Sequence, residues 1–171
     1  MKLGNILLGL GLLASTMLAE GFIDYKSLTK NLKAQEKKAG TYATTQEVKK
    51  ALKSKDWAVV DVRTLEEWSG ANIPGSYRIG RQAPEVALAN VVTDIDDNFV
   101  KDKLIVVCNS AARASIEAQT FRQMGFKTVK VYDLYSWIDE CNAVGTKYTV
   151  KKDRDGTGLK FGEFYAQHCK K

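Results

Sequence analysis

A chain of 171 residues, 27% charged and 44% hydrophobic, is long enough for one packed domain and short for two. Its formal charge of +6 is dispersed in clusters such as Lys37-Lys38, Lys49-Lys50 and Lys151-Lys152, with acidic neighbours and no interleaved aromatics. That pattern excludes a nucleic-acid partner and describes a solvated surface with a mild attraction for anions.

The first segment reads as a secretory leader, with an uncleaved anchor as the alternative: Met1-Lys2, an apolar run over 6–18, then Ala19 before Glu20. Cleavage after Ala19 predicts a periplasmic or secreted protein with no membrane association afterwards, the run being shorter than the roughly 20 residues of a span. Residues 20–41 read as a lead-in helix or linker, 42–146 as the domain, and 147–171 as a C-terminal extension. Within the domain, Thr44 and Glu47 form a capping box that opens a short helix bearing Val48 and Leu52. A buried strand follows over 57–62, then a second capping box (Thr64, Glu67) whose helix ends near Gly70. Ile73-Pro74-Gly75-Ser76 is a turn, and 84–100 reads as helical with Val86, Leu88, Val91 and Val92 on an imperfect apolar face. Leu104-Ile105-Val106-Val107 is the clearest buried strand. A helix over 114–124 is stopped by Gly125, a β segment covers 128–132, and a short helix covers 134–142. Strands separated by helices predict an α/β fold, a three-layer sandwich with a central parallel sheet flanked by helices. Functional loops of such sheets lie at the carboxyl ends of the strands.

Cys108 holds that address, directly after a buried strand and directly before a helix. Loop amides and the positive start of the helix can converge on its sulfur, a setting that suits a thiolate nucleophile. Ser110, Ala111 and Ala112 are small and leave room for a substrate, and Arg113 is a fixed cation able to hold an anion or offset charge on sulfur. The competing reading is a buried cysteine that merely ends a strand.

The sequence resembles the rhodanese family over about 42–145. The residues that carry the resemblance are Asp61-Val62-Arg63, Glu67-Trp68, Gly70-Ala71-Asn72-Ile73-Pro74-Gly75-Ser76, and the loop Cys108-Asn109-Ser110-Ala111-Ala112-Arg113-Ala114. Arginine stands five positions after cysteine, as in sulfurtransferases, where phosphatase-type loops place it six positions on. The resemblance implies ping-pong sulfur transfer without a cofactor or metal. The Cys108 thiolate would take the outer sulfur of a small sulfur-containing anion such as thiosulfate, and a thiol (of a protein or a small molecule) or cyanide would remove it. The alternative is a persulfide carrier or redox-partner module without efficient turnover. Asn109 stands where the family has arginine, Ala111 where it has glycine, and Asn72 where it has histidine, and only Trp137 is kept of a late glycine-glycine-tryptophan motif. The first two substitutions alter the anion pocket, and alanine is strained if position 111 requires a positive φ. Asp61 and Arg63 form a buried ion pair or orient the loop, and Arg78 and Arg81 are candidates to replace the missing loop cation.

Cys141 and Cys169 lack a loop-and-helix setting. A disulfide between them would staple the tail and leave Cys108 free; otherwise one of them can act as a resolving thiol toward a Cys108 persulfide. Asp153-Arg154-Asp155-Gly156-Thr157-Gly158 with Glu163 mimics a calcium loop, but the glutamate comes one place early and Lys160 replaces an aliphatic residue. A polar turn leading to an amphipathic segment with Phe161, Phe164 and Tyr165 is the better reading, and His168 has no catalytic partner in view.

Overall fold

A computed structural model describes residues 21–149 and 162–169. The leader with its cleavage position and the calcium-like stretch 153–158 lie outside these residues. Helix α1 (Tyr25–Lys38) is opened by Asp24, whose carboxylate accepts from Ser27 N, and closes with Lys37 and Lys38 at its negative end. Helix α2 (Thr45–Ala51) has the reciprocal capping box of Thr44 and Glu47, and α3 (Leu65–Gly70) that of Thr64 and Glu67.

Four parallel strands make the main sheet: β1 (Trp57–Asp61), β2 (Tyr77–Arg78), β3 (Lys103–Cys108) and β4 (Thr128–Asp133), in the order β2-β1-β3-β4. The central strands are buried on both faces, so they carry continuous apolar runs rather than alternation. Leu104, Val106 and Cys108 of β3 pack with Leu88 of α4 (Pro84–Val92) and with Ala114, Ala118 and Phe121 of α5 (Ala112–Gln123). Ile105 and Val107 pack on the other face with Val48 of α2 and with Leu134 and Trp137 of α6 (Leu134–Asp139). These two apolar layers around one sheet form the three-layer sandwich.

Helix α4 stops at Val92 instead of running to residue 100. The Asp94 carboxylate accepts from Asp96 N and Asn98 N, closing a turn that competes with helix, and Thr93 bridges back to Phe99. Likewise α6 ends at Asp139, and Cys141 takes the left-handed conformation (φ 60°) just beyond it. β5 (Val144–Thr146) pairs antiparallel with β6 (Gly162–Phe164), so one hairpin straddles the expected boundary, and Phe164 lies in a strand. Asn72 and Gly145 exchange backbone hydrogen bonds, tying that hairpin to the end of α3. The approach is close enough that a Cβ at Gly145 would lie 2.8 Å from Asn72 Oδ1, so any side chain there would have to displace the Asn72 amide. No helix among the described residues is long and apolar enough to cross a membrane.

Candidate active site

Strand order reverses direction between β1 and β3, and the crevice at their carboxyl ends is where open α/β sheets build sites. β1 ends in Asp61 and β3 in Cys108. Arg63, two residues past β1, is 2% exposed and is the hub of the crevice. Its Nε donates to both Asp61 carboxylate oxygens at 2.9 and 3.0 Å, and its Nη2 donates to Asp61 Oδ2 at 2.7 Å. Its remaining donors reach Ala71 O (2.6 Å), Glu67 O (3.3 Å) and Asn109 Oδ1 (2.9 Å). A charge this buried persists because it is paired and hydrogen-bonded on every side. The same residue thus forms the ion pair and holds the loop, so the two sequence readings of Asp61 and Arg63 are not alternatives.

Asn109 explains itself in this setting. Its oxygen accepts from Arg63 while its nitrogen donates to Glu67 Oε1 at 2.8 Å. A neutral amide bridges a cation and an anion, a task for which a second guanidinium lacks an acceptor. Glu67 is the other hub. Arg113 Nη1 and Nη2 donate to its two oxygens at 2.7 Å each, a bidentate pair. Hydrogen bonding from Arg113 first, then the Thr64 amide and the nearby charges, holds the Glu67 carboxyl down at about 2 against some burial. Reciprocally, Glu67 raises the pKa of Arg113 above its ordinary value, with a smaller electrostatic contribution from Cys108. The guanidinium expected to face an anion therefore has its charge matched by a carboxylate.

Cys108 is the free cysteine among the described residues, 1% exposed and set in the α4/α5 apolar layer. Ala111 stands in the left-handed region (φ 61°, ψ 0°) as N-cap of α5, with no side-chain cap. The backbone takes the turn that glycine would adopt freely, at a cost of about 1 kcal/mol. Among the described residues, the N–H groups of Ser110 and Ala111 and of the first turn of α5 donate to no backbone carbonyl. They form a group of donors beside the cysteine, at the positive end of a twelve-residue helix. Ser110 is exposed, Ala112 half-buried, and the cysteine lies beneath them, less open than the small loop residues suggested.

The far wall comes from β4. Cys108 is in register with Asp133, which accepts from Tyr42 Oη (2.8 Å), Ser136 N (2.7 Å) and Ser136 Oγ (2.9 Å). Burial, and then the Asp133 carboxylate, push the Tyr42 hydroxyl well above its ordinary value, with a lesser contribution from Cys108. The Asn109 carbonyl accepts from Tyr135 N at 3.3 Å, which fastens the loop to α6. Arg78 and Arg81 are exposed and lie in a neighbouring polar recess of about 520 Å³ with Thr64, Glu66 and Gln82, none of them loop residues. The Ile79 and Gly80 amides donate to Asp61 O, so this recess adjoins the crevice. Cys141 and Cys169 are joined as a disulfide, which leaves neither as a resolving thiol in this state.

The sequence reading did not place Glu67, Asp133 and Tyr42 in the site. Glu67 was detectable as a residue serving both a capping box and the Glu67-Trp68 motif. Tyr42 and Asp133 are 91 positions apart and meet only through the pairing of residue 42 with β4.

Residues 44–134 match the profile of the rhodanese-like domain. A putative sulfur carrier protein, YrkF, of Bacillus subtilis (strain 168) is 31% identical over 71 residues, 42% of this chain. That match covers 35% of the relative, so the chain spans about a third of its length. The solution structure of the 30 kDa polysulfide-sulfur transferase homodimer from Wolinella succinogenes shares 25% identity over 69% of this chain and 90% of that one, with a TM-score of 0.48.

Proposed function

The chain belongs to the rhodanese-like domain family, and from that premise we propose that it moves sulfane sulfur through a persulfide on Cys108. The observation that carries this reading is a free cysteine at the carboxyl end of β3, followed at once by Ala111 in the left-handed region and by a helix start with unclaimed donors. The thiolate attacks the outer sulfur of a donor, the donor's remaining fragment leaves with the bonding pair, and a persulfide anion remains on Cys108. The N–H groups over 110–114 stabilise that anion, and an acceptor thiol or cyanide then removes the outer sulfur. Asp61, Arg63, Asn109, Glu67 and Arg113 hold the loop in shape rather than touch the sulfur. No metal or cofactor takes part. The leader and the disulfide support a place outside the cytoplasm, periplasmic or secreted.

One observation favours the carrier variant of this reading over efficient turnover of thiosulfate. Position 109 is neutral and Arg113 is bidentate to Glu67, so the loop has no uncommitted cation for a divalent anion. The matching segment of a putative sulfur carrier points the same way. Thiosulfate-to-cyanide transfer by wild type and Cys108→Ser, with mass spectrometry of each after exposure to a sulfur donor, separates the readings. A gain of one sulfur atom on wild type and none on Cys108→Ser is the expected result for both. Rapid cyanide-dependent turnover marks the enzyme, and a stable persulfide without turnover marks the carrier. Equal transfer by the two proteins would refute the role of Cys108.

A further inference from the structure

Beyond the 44–134 span, the end of α6 carries a second sulfur centre. The sulfurs of Cys141 and Cys169 and a ring nitrogen of His168 all lie within 4.8 Å of one another. Cys141 is exposed and Cys169 half-buried, so an incoming nucleophile reaches the Cys141 sulfur first. The surroundings are electronegative. Cys141 Sγ lies 3.9 Å from Asp139 O, and Cys169 Sγ lies 3.8 Å from Ile138 O, at the carbonyl end of α6. A thiolate expelled into that field leaves slowly unless a proton is delivered to it. His168, next to Cys169 in the chain, has a ring nitrogen within 4.8 Å of both sulfurs, near enough to pass a proton through one water.

An apolar recess of about 410 Å³ adjoins the disulfide, with Ala71, Ile138, Val144, Tyr148, Phe164 and Ala166 in its walls. The recess and the disulfide are built from the same segments: Ile138 and Ala166 each precede one of the two cysteines by three positions. An apolar lining gives a polypeptide side chain a place to be buried, which a small hydrophilic thiol does not need.

We propose that Cys141–Cys169 is a second thiol-reactive site, which exchanges with a dithiol-bearing protein seated in this recess. The partner's thiolate attacks Cys141 Sγ, a mixed disulfide forms, and the Cys141–Cys169 bond breaks. Cys169 leaves with the electron pair and takes a proton from His168, which is reprotonated by the proton the partner's first thiol released on forming its thiolate. The partner's second thiol then attacks the mixed disulfide, so the partner departs as a disulfide and Cys141 as a thiol. In balance, two electrons and two protons pass from the partner dithiol to the cysteine pair. The step is independent of sulfur transfer at Cys108.

The test uses the full chain carrying Cys108→Ser, so that only Cys141 and Cys169 appear as new thiols. Reduction is followed by alkylation and mass spectrometry with glutathione, dithiothreitol or a purified thioredoxin-type protein at equal thiol concentration. The expected result is reduction by the protein dithiol faster than by dithiothreitol, with about tenfold of that advantage lost when Tyr148 is truncated. His168→Ala slows both, and Tyr148→Ala slows only the protein reaction, with circular dichroism unchanged in each. Equal rates with dithiothreitol and the protein overturn the docked partner. A rate indifferent to His168→Ala overturns the exchange site.

Discussion

Cys108 and Cys141 each lie where a helix meets an irregular segment, but the helices present opposite ends to them. Cys108 precedes the start of α5, where N–H groups donate to no backbone carbonyl among the described residues; Cys141 follows the end of α6, where the Asp139 carbonyl faces its sulfur. The first cysteine is buried and free, its loop held from outside by the Arg113–Glu67 ion pair and the Arg63 hydrogen bond to Asn109. The second is exposed and its segment is held by the bond it makes with Cys169. A helix start welcomes negative charge on sulfur and a helix end opposes it, so the first setting suits the anionic chemistry proposed for Cys108 and the second suits covalent pairing.

The sharpest way to break this contrast is at Asp61. Asp61→Ala leaves Arg63 as an unmatched charge that is 2% exposed and should lower stability by about 3–5 kcal/mol. Chemical denaturation measures the loss, and non-reducing mass spectrometry should still find the Cys141–Cys169 link. Loss of that link would mean the two regions are not held separately. Next in size is the pair Cys141→Ser/Cys169→Ser. A bridge closing a separation of 28 residues contributes about 3.6 kcal/mol by chain entropy. Thermal melts should show that deficit against wild type under oxidising conditions and none against wild type kept reduced.

Glu67→Gln comes third. It unbalances Arg113 and weakens the acceptor of Asn109, at a cost of about 1–2 kcal/mol at pH 7 after allowing for partial solvent exposure. The Glu67 carboxyl is lowered to about 2 in the fold, below its unfolded value of roughly 4.3. Its contribution is therefore complete above the unfolded value and is lost as pH falls toward 2. The gap between wild type and Glu67→Gln should narrow below about pH 4, and a gap that stays constant to pH 2.5 would remove Glu67 from its role. The smallest effect is expected for Ala111→Gly. Relief of the left-handed alanine and loss of its buried methyl oppose one another, so the net change should stay within about 0.5 kcal/mol. A cost above about 1.5 kcal/mol would mean that the loop is not strained at 111.

The sheet and the address of Cys108 were legible because their signals are local: β1 and β3 are continuous apolar runs, and two capping boxes mark α2 and α3. What was not legible depends on contacts between distant residues. Three-residue strands such as β5 and β6 carry no period, and Gly145 is explained only by the side chain of Asn72 against it. The periodic apolar residues of α4 invited a helix to residue 100, while the stop comes from the polar turn at Asp94. Asn109 looked like the loss of a cation because its two partners, Arg63 and Glu67, stand 46 and 42 positions away.

Helix α1 lies ahead of the residues the family shares, yet it is bolted to them. Glu36 takes both outer nitrogens of Arg122 at 2.7 Å, Arg122 also donates to Val129 O, and Glu36 accepts from Thr41. A fragment trimmed to the shared span would leave Arg122 facing water without its carboxylate, strip the cover from α5 and detach Tyr42 from Asp133 beside the cysteine. For anyone cutting this gene into expressible pieces, the workable left edge is ahead of Asp24, some twenty residues upstream of where kinship alone would put it.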